Sequence, residues 1–155
     1  MKREILVFEI DGCRYGLSSA DIRELVRVPT SVSLPKAPAV IEGIINLRGK
    51  VVPVLDIRKR FRHPAKAAQP QDHLVVAQAD RRLVALRVDR AVGLSEVSSD
   101  DIENAAAITP RTEYLAGVAK LPDGLVLIHD LRTFLADSEA RHLDEAFDSS
   151  TEAFP

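Results

Sequence analysis

Short apolar runs separated by turn signals alternate along most of the chain. At two places an apolar run, a tight turn and a second apolar run follow one another, an order that is typical of β-hairpins. The first predicted hairpin joins Ile5–Ile10 to Tyr15–Leu17 through Asp11-Gly12, and the second joins Leu74–Ala77 to Leu83–Val88 through Asp80-Arg81. The hydrophobic pattern therefore predicts a protein built mainly of strands.

Three further segments have the pattern of short strands. Ile22–Val28 alternates loosely and stops before Pro29, Lys50–Leu55 is rich in β-branched residues, and Gly124–Ile128 is a short apolar run. Because proline cannot donate a backbone hydrogen bond to a sheet, Pro53 predicts that Lys50–Leu55 is an edge strand or contains a bulge.

Helical signals are few. Pro38–Glu42 is predicted to form one helical turn that starts at the proline. Near the end of the chain, Ser138 is a suitable cap for a helix over residues 137–147. Three apolar residues share one face of this helix: Ala140, Leu143 and Phe147. Residues 148–155 have little to bury and are predicted to be disordered, and His63–Gln71 is predicted to be an exposed linker.

The most informative pattern is an internal repeat. Moving Ile41–Phe61 forward by 74 positions places it on Leu115–Leu135. Identical residues then meet at Gly43 and Gly117, Leu47 and Leu121, Val52 and Val126, Asp56 and Asp130, and Arg58 and Arg132. A shift of 68 positions similarly lays Leu6–Phe8 on Leu74–Val76. Each half therefore contains a hairpin, a variable middle, two strands and a helical turn.

Two such repeats predict an all-β fold of two similar small barrels, each too small to be stable alone and packed side by side. We expect one barrel over about residues 15–70 and the other over about 71–135, with the N-terminal strand crossing over between them. The groove between two barrels is a natural binding place.

Composition argues against several functional classes. The formal net charge of −2 and the aromatic content of 5% disfavour a nucleic-acid-binding barrel, which needs a basic face and stacking rings. No apolar stretch approaches the roughly 20 residues that span a bilayer, and the N-terminus lacks the pattern of a secretory signal. The single cysteine, Cys13, rules out an internal disulfide and fits a reducing compartment. These features predict a cytoplasmic protein.

Candidate chemistry is sparse. The four histidines and one cysteine have no metal-ligand spacing. A small hydrolase would need His129 and Asp130, but neighbours on a strand point to opposite faces, and we interpret His129 as a partly buried strand residue. We expect no catalytic residue, no metal and no cofactor. The basic cluster of Arg58, Lys59, Arg60 and Arg62 is interpreted as a solvated helical turn, with contact to an acidic partner as the alternative.

Three motifs occur in an order that carries a resemblance. The segment Ile41–Phe61 contains Asn46-Leu47-Arg48-Gly49, a strand with a proline, and then Asp56-Ile57-Arg58. Leu6–Phe8 with Tyr15–Leu17 precedes it, and Thr112–Gly117 follows it. Over about Ile5 to Leu135 the chain resembles the CheW family of chemotaxis coupling proteins.

This resemblance implies two SH3-like five-stranded barrels and a scaffold without catalytic activity in a two-component system. Members of the family bind the cytoplasmic helices of chemoreceptors, the methyl-accepting chemotaxis proteins, and the regulatory domain of a CheA-type histidine kinase. The implied location is the cytoplasm, at the membrane only through receptor arrays, with no membrane insertion and no nucleic-acid partner. A CheW-like adaptor of a non-flagellar pathway, for surface motility or biofilm control, is the alternative.

The resemblance also implies a receptor-binding groove. Its residues here are Ile22, Glu24, Ile44, Asn46, Leu47 and Arg48, and for Ile22 and Leu47 plain core packing is the alternative. Because an arginine is expensive to bury unpaired, Arg48 is predicted to pair with Glu24 and to fix the groove wall. Gly43, Gly49 and Gly117 are interpreted as structural turn residues.

Overall fold

Strands dominate the structure, as the alternation of apolar runs and turns predicts. The computed structural model describes residues 2–27, 32–79, 82–104, 115–134 and 137–153. The strands are β1 (Lys2–Ile10), β2 (Cys13–Ser18), β3 (Ile22–Arg27), β4 (Ile41–Leu47), β5 (Lys50–Leu55), β6 (His73–Ala79), β7 (Arg82–Val88), β8 (Arg90–Ser98), β9 (Ile102–Asn104), β10 (Leu115–Leu121) and β11 (Gly124–His129). The α-helices are α1 (Ile57–Phe61) and α2 (Asp137–Ala153), and a short 3-10 turn lies at Leu131–Thr133.

The strands form two sheets that make two SH3-like barrels. The five-stranded barrel has the order β3-β6-β7-β5-β4, and the six-stranded barrel has the order β8-β1-β2-β11-β10-β9. Neighbouring strands are antiparallel except for β5 with β7 and β11 with β2. The predicted all-β fold of two barrels is confirmed, with the difference that the short strand β9 gives one barrel a sixth strand.

Both predicted hairpins form. Asp11 and Gly12 join β1 to β2, and their φ angles of 51° and 79° lie in the left-handed region. Two successive positive φ values are typical of the type I′ turn, whose twist matches that of paired strands. β6 pairs with β7 from His73 to Ala79, and the predicted turn at Asp80-Arg81 lies outside the described residues.

The repeat of Ile41–Phe61 at a distance of 74 positions is visible in the pairing of the strands. Gly43 lies opposite Val54 in the β4–β5 pair, and Gly117 lies opposite Ile128 in the β10–β11 pair. Both pairs have an irregular register just before the glycine, and both are followed by a helical turn.

The two hairpins are related by 69 positions rather than the predicted 68. Ile10 pairs with Cys13 at the end of the first hairpin, and Ala79 pairs with Arg82 at the end of the second. An error of one residue exchanges the two faces of a strand. The sequence carries no signal against this error, because the middle of β1 and the middle of β6 are buried on both faces.

Each hairpin joins the barrel of the other repeat. β1–β2 lies between β8 and β11, and β6–β7 lies between β3 and β5. The predicted division at residues 15–70 and 71–135 is therefore wrong, because the five-stranded barrel uses residues 22–88 and the six-stranded barrel uses 2–18 with 90–129. The N-terminal strand β1 crosses to the barrel of the second repeat, as predicted, but β2 crosses with it. The β6–β7 hairpin crosses in the opposite direction, to the barrel of the first repeat.

The apolar side chains pack in three clusters, one inside each barrel and one between the barrels. The interior of the five-stranded barrel includes Val52, Val54 and Val76, and the interior of the six-stranded barrel includes Val7, Val126 and Ile128. A shared core between the barrels includes the fully buried Phe8, Leu86, Phe134 and Leu143. Since a fully buried large apolar side chain contributes about 1.5–3 kcal/mol, this shared core fixes one barrel against the other.

The prediction from Pro53 is wrong, and the turn predicted before β4 is shorter than expected. β5 lies between β7 and β4, so it is not an edge strand, and its pairing with β7 begins only at Val54, after Pro53. The irregular register lies on β4, between Ile41 and Gly43. Pro38–Ile41 forms one hydrogen-bonded turn, in which the Ile41 N–H donates to the Pro38 carbonyl at 2.9 Å, but the turn does not continue as a helix to Glu42 because β4 starts at Ile41.

α2 extends beyond its predicted end. It continues to Ala153, so the expected disorder from residue 148 is wrong for 148–153, and 154–155 lie outside the described residues. Leu143 is buried in the shared core, Phe147 packs against that core, and Ala140 is half-buried. The apolar face of the helix therefore lies against the barrels.

The interpretation of the basic cluster as solvated is wrong for Arg58 and Arg60, whereas Lys59 and Arg62 are exposed as expected. Arg58 is 3% exposed and donates to Asp11 at 2.9 Å and to Asp89 at 2.6 Å. It also donates to the Pro64 carbonyl at 3.1 Å, which ties the expected linker to the barrels. Arg60 donates through Nε to the Phe134 backbone carbonyl at 2.7 Å.

Candidate functional site

Glu24 and Arg48 meet across the open seam of the five-stranded barrel. Glu24 lies on β3 and Arg48 follows β4, and these two strands are the terminal strands of the sheet. Arg48 Nη2 donates to Glu24 Oε2 in an ion pair. The predicted pairing is confirmed, and it joins two strands that are not neighbours in the sheet.

The β4–β5 turn positions Arg48. Arg48 and Gly49 have φ angles of 50° and 89°, and the Gly49 N–H donates to Asn46 Oδ1 at 2.8 Å. Asn46 therefore stabilises this turn through its side chain. The reason given for the pairing is wrong in one respect: 73% of the Arg48 side chain is exposed, and Glu24, at 25%, is the more buried partner.

The ion pair borders a cavity of about 360 Å³. Its apolar lining is Leu47, Val76 and Leu83, and its polar lining is Arg23, Glu24, Arg48, Lys50 and Gln78. Glu24 Oε1 is shielded from solvent and has no hydrogen-bond partner among the described residues. A buried acceptor without a partner is costly, so a donor that reached this oxygen would bind favourably.

The other predicted groove residues do not line this cavity. Ile22 and Ile44 are half-buried against the shared core, and Asn46 is exposed beside the turn. Successive residues of a strand face opposite sides, so a segment such as Ile44–Leu47 cannot place every side chain in one groove. The structure brings together three of the six: Glu24, Leu47 and Arg48.

Sequence reasoning missed the residues that β6 and β7 contribute. Val76 lies directly opposite Glu24 in the β3–β6 pair, and Gln78 and Leu83 complete this wall. The sequence interpretation assigned that hairpin to the other barrel, and the exchange of hairpins hid these side chains. Only a correct placement of β6–β7 would have revealed them.

Two further cavities continue the groove. One, of about 450 Å³, shares Arg23 and Gln78 with the first cavity and reaches His129 of the six-stranded barrel. The other, of about 710 Å³, shares Lys50 and Leu83 with the first and lies between the five-stranded barrel and α2. The groove therefore runs along the junction of the barrels and ends beneath α2.

The three glycines interpreted as turn residues have three different roles. Gly49 is a turn residue with positive φ, as predicted. Gly117 lies within β10, where a Cβ atom would come within 2.8 Å of the Glu103 carbonyl oxygen, so it permits a close approach of two strands. Gly43 lies within β4 at the irregular register, and the turn interpretation is wrong for both strand glycines.

His129 and Asp130 do not form a dyad. His129 is 8% exposed, burial lowers its pKa to about 4, and its Nδ1 lies 3.1 Å from the Leu127 carbonyl. Asp130 instead accepts from Arg132, from Nε at 3.1 Å and from Nη2 at 3.0 Å. The interpretation of His129 as a buried strand residue is confirmed, and the hydrolase arrangement is not formed by this pair.

The Glu24–Arg48 pair belongs to one barrel only. The shifts of 69 and 74 positions that relate the two halves place Gly93 at the position of Glu24 and Pro122 at the position of Arg48. Neither residue has a charged side chain, so the six-stranded barrel has no equivalent of this pair.

Other kinds of site are not evident in the described part of the chain. Its His, Cys, Asp and Glu residues do not gather into a group of three or more that could bind a metal ion. None of its helices combines the length and the apolar character needed to cross a bilayer.

The fold and the groove together define a class of protein: a binding module of two SH3-like barrels. One barrel carries a charged clasp, the Glu24–Arg48 ion pair. Residues 4–139 match the family model described as "CheW-like domain", and the chain belongs to this family.

Curated relatives cover most of the chain. The chemotaxis protein CheW of Klebsiella aerogenes is 26% identical over 144 residues, which are 92% of this chain and 87% of that protein. The chemotaxis protein CheW of Rhizobium meliloti is 29% identical over 141 residues, 88% of this chain and 90% of that protein. The crystal structure of the scaffolding protein TtCheW from Thermoanaerobacter tengcongensis is similar with a TM-score of 0.81 and 29% identity, over 90% of this chain and 96% of that one.

Proposed function

We propose that this chain is an adaptor that couples the cytoplasmic helices of chemoreceptors to the regulatory domain of a CheA-type histidine kinase, by binding and without catalysis. The observation that carries the proposal is the Glu24–Arg48 clasp over an apolar cavity, on a fold shared with a CheW scaffolding protein. Its place in the cell would then be the cytoplasmic side of receptor arrays in the membrane.

The cavity beside the clasp has the properties of a helix-binding groove. Leu47, Val76 and Leu83 offer an apolar floor, and charged side chains border it. An amphipathic helix binds such a surface with apolar residues spaced three and four apart, and the charged border selects its orientation. The binding needs no chemical step, which fits a reversible scaffold.

Replacing Arg48 by Ala should weaken receptor binding more than it weakens the fold. The arginine side chain is 73% exposed, so we expect the free energy of unfolding to change by less than about 1 kcal/mol. Without Arg48, docking a helix would cover the Glu24 carboxylate with no positive partner. We expect at least a roughly tenfold loss of affinity, about 1.4 kcal/mol.

The measurement is co-sedimentation with a receptor signalling fragment and the cognate kinase, with unfolding curves taken in parallel. Arg90→Ala is a matched control, because Arg90 is 58% exposed and pairs with Glu9 on the other barrel. We expect Arg90→Ala to leave receptor binding unchanged. A wild-type chain that binds no receptor fragment, an unfolded Arg48→Ala chain, or equal loss in both variants contradicts the proposal. The same co-sedimentation with receptors from each chemosensory gene cluster of the genome shows which receptors the chain binds. This result distinguishes a role in chemotaxis from one in surface motility or biofilm control.

A further inference from the structure

α2 covers one end of the groove and lies mostly beyond the residues that the family model matches. The family match ends at residue 139, whereas the helix runs from Asp137 to Ala153. Leu143 and Ala146 are its fully buried described side chains, and Phe147 packs beside them. The helix is therefore anchored on the barrels by a short apolar face.

Two ion pairs among the described residues also attach α2. Glu139 pairs with Arg60 of α1, and Asp144 pairs with Arg82 of β7. Asp144 is 61% exposed, and an ion pair so open to water contributes little to stability. The attachment thus combines an apolar anchor with acidic residues that face two arginines.

The fit between α2 and the five-stranded barrel is incomplete. The cavity of about 710 Å³ lies between them, with Ala140 and Phe147 on the helix side and Val84 on the barrel side. Val51, which lines the same cavity, remains 57% exposed. Because Val51 still exposes apolar surface beside α2, this face of the barrel can bury more apolar surface than α2 covers.

We propose that α2 occupies the end of the groove onto which a bound receptor helix extends, and that it competes with that helix. This inference rests on the proposed function. Because the α2 cavity shares Lys50 and Leu83 with the Glu24–Arg48 cavity, a helix laid along the groove from the clasp meets α2. α2 also indicates the chemistry of the occupant, an amphipathic helix with acidic residues toward Arg60 and Arg82.

Competition of this kind lowers the apparent affinity for the receptor helix. A partner binds only the fraction of molecules in which α2 has moved aside, so its measured dissociation constant is increased in proportion. Weakening the α2 attachment should therefore strengthen receptor binding, an effect opposite in sign to that of Arg48→Ala.

The test uses the full chain with two pairs of variants. Asp144→Arg places a positive charge beside Arg82, and Glu145→Arg makes the same charge change at an exposed neighbour without an ion pair among the described residues. Leu143→Glu removes the buried anchor, and His142→Glu introduces the same residue at an exposed position. Hydrogen exchange of the α2 amides reports release of the helix, and titration with a receptor signalling fragment from the same genome reports affinity.

We expect Asp144→Arg and Leu143→Glu to exchange faster in α2 and to bind the fragment roughly three- to tenfold more tightly than the wild type. The two control variants should behave as the wild type. If α2 is released and affinity is unchanged or falls, the inference is wrong, and it is also wrong if neither variant releases α2. If Leu143→Glu fails to fold, Leu143→Ala replaces it, because it also removes most of the buried anchor and introduces no charge. Absence of binding in every chain, wild type included, overturns the proposed function and this inference with it.

Discussion

At the scale of single residues, burial determines the charge of His129. The ring packs against the rings of Tyr15, Phe61 and Phe134, with centroid distances of 4.5 to 5.9 Å. Burial disfavours the protonated imidazole, so the pKa falls from 6.5 to about 4. Near neutral pH the side chain is therefore an uncharged member of an aromatic cluster between the barrels.

This burial predicts a defined loss of stability in mild acid. Between pH 6.5 and about 4 the unfolded chain binds a proton at His129 that the folded protein does not bind, so the free energy of unfolding falls as the pH falls. The loss can reach roughly 3 kcal/mol and does not grow further below pH 4. Urea unfolding at several pH values should show it, and His129→Phe should remove this part of the slope. Equal slopes in both chains would exclude the effect.

Of the predictions made for single arginines from the sequence, the one for Arg48 succeeded and the one for Arg58 failed. The predicted pairing of Arg48 with Glu24 is confirmed, although the carboxylate and not the arginine is the more buried partner. The partners of Arg58, Asp11 and Asp89, lie at turns that are distant in the sequence. Nothing in the sequence around α1 indicates that two separate turns converge there.

At the scale of elements, the two helical turns of the repeat have diverged in environment. Arg58 of α1 is 3% exposed and bridges two carboxylates. Its counterpart Arg132, at the turn Leu131–Thr133, has 65% of its side chain exposed and pairs with Asp130. One position of the repeat thus offers a buried and an exposed ion pair for direct comparison.

Removing each arginine should have very different effects on stability. Arg58→Ala removes the guanidinium that bridges Asp11 and Asp89, and we expect the free energy of unfolding to fall by about 2–4 kcal/mol. Arg132→Ala should cost less than about 1 kcal/mol because its ion pair is open to water. Chemical unfolding at neutral pH measures both. Similar losses in the two variants would show that burial does not separate these ion pairs.

The strands themselves were largely predictable because turns and apolar runs are local signals. The β4–β5 pair and the β10–β11 pair have the same register relative to each other. In both pairs the glycine follows directly after an irregularity in the pairing. The hairpins carry apolar residues on both faces, and their alignment was off by one position for that reason. The choice of pairing partners depends on contacts between distant segments, so the exchange of hairpins was not predictable from local patterns.

At the scale of the whole molecule, the exchange of hairpins makes each barrel depend on both halves of the chain. The segment between α1 and β6 is the single link between the halves, and Ala67 and Ala68 within it are exposed. Fragments 1–67 and 68–155 each contain a hairpin that lacks its partner strands, so neither should fold alone.

We therefore expect a chain cleaved between Ala67 and Ala68 to stay together as one folded particle. Size-exclusion chromatography should show the two pieces coeluting in native buffer and separating in urea, and separately produced fragments should gain β structure by circular dichroism only on mixing. Either fragment folding independently, or a cleaved chain that falls apart in native buffer, would contradict the exchanged topology.

Glu24 and Arg48 of one barrel correspond to Gly93 and Pro122 of the other. The two barrels therefore present different surfaces. A protein with two equal halves would present the same surface twice, and its copies would join most readily as symmetric pairs. Here the charged clasp marks one end and leaves the other end without it, so the two ends can engage unlike neighbours. A protein with two different binding surfaces can extend an assembly in one orientation. A protein with two identical surfaces would form closed symmetric pairs.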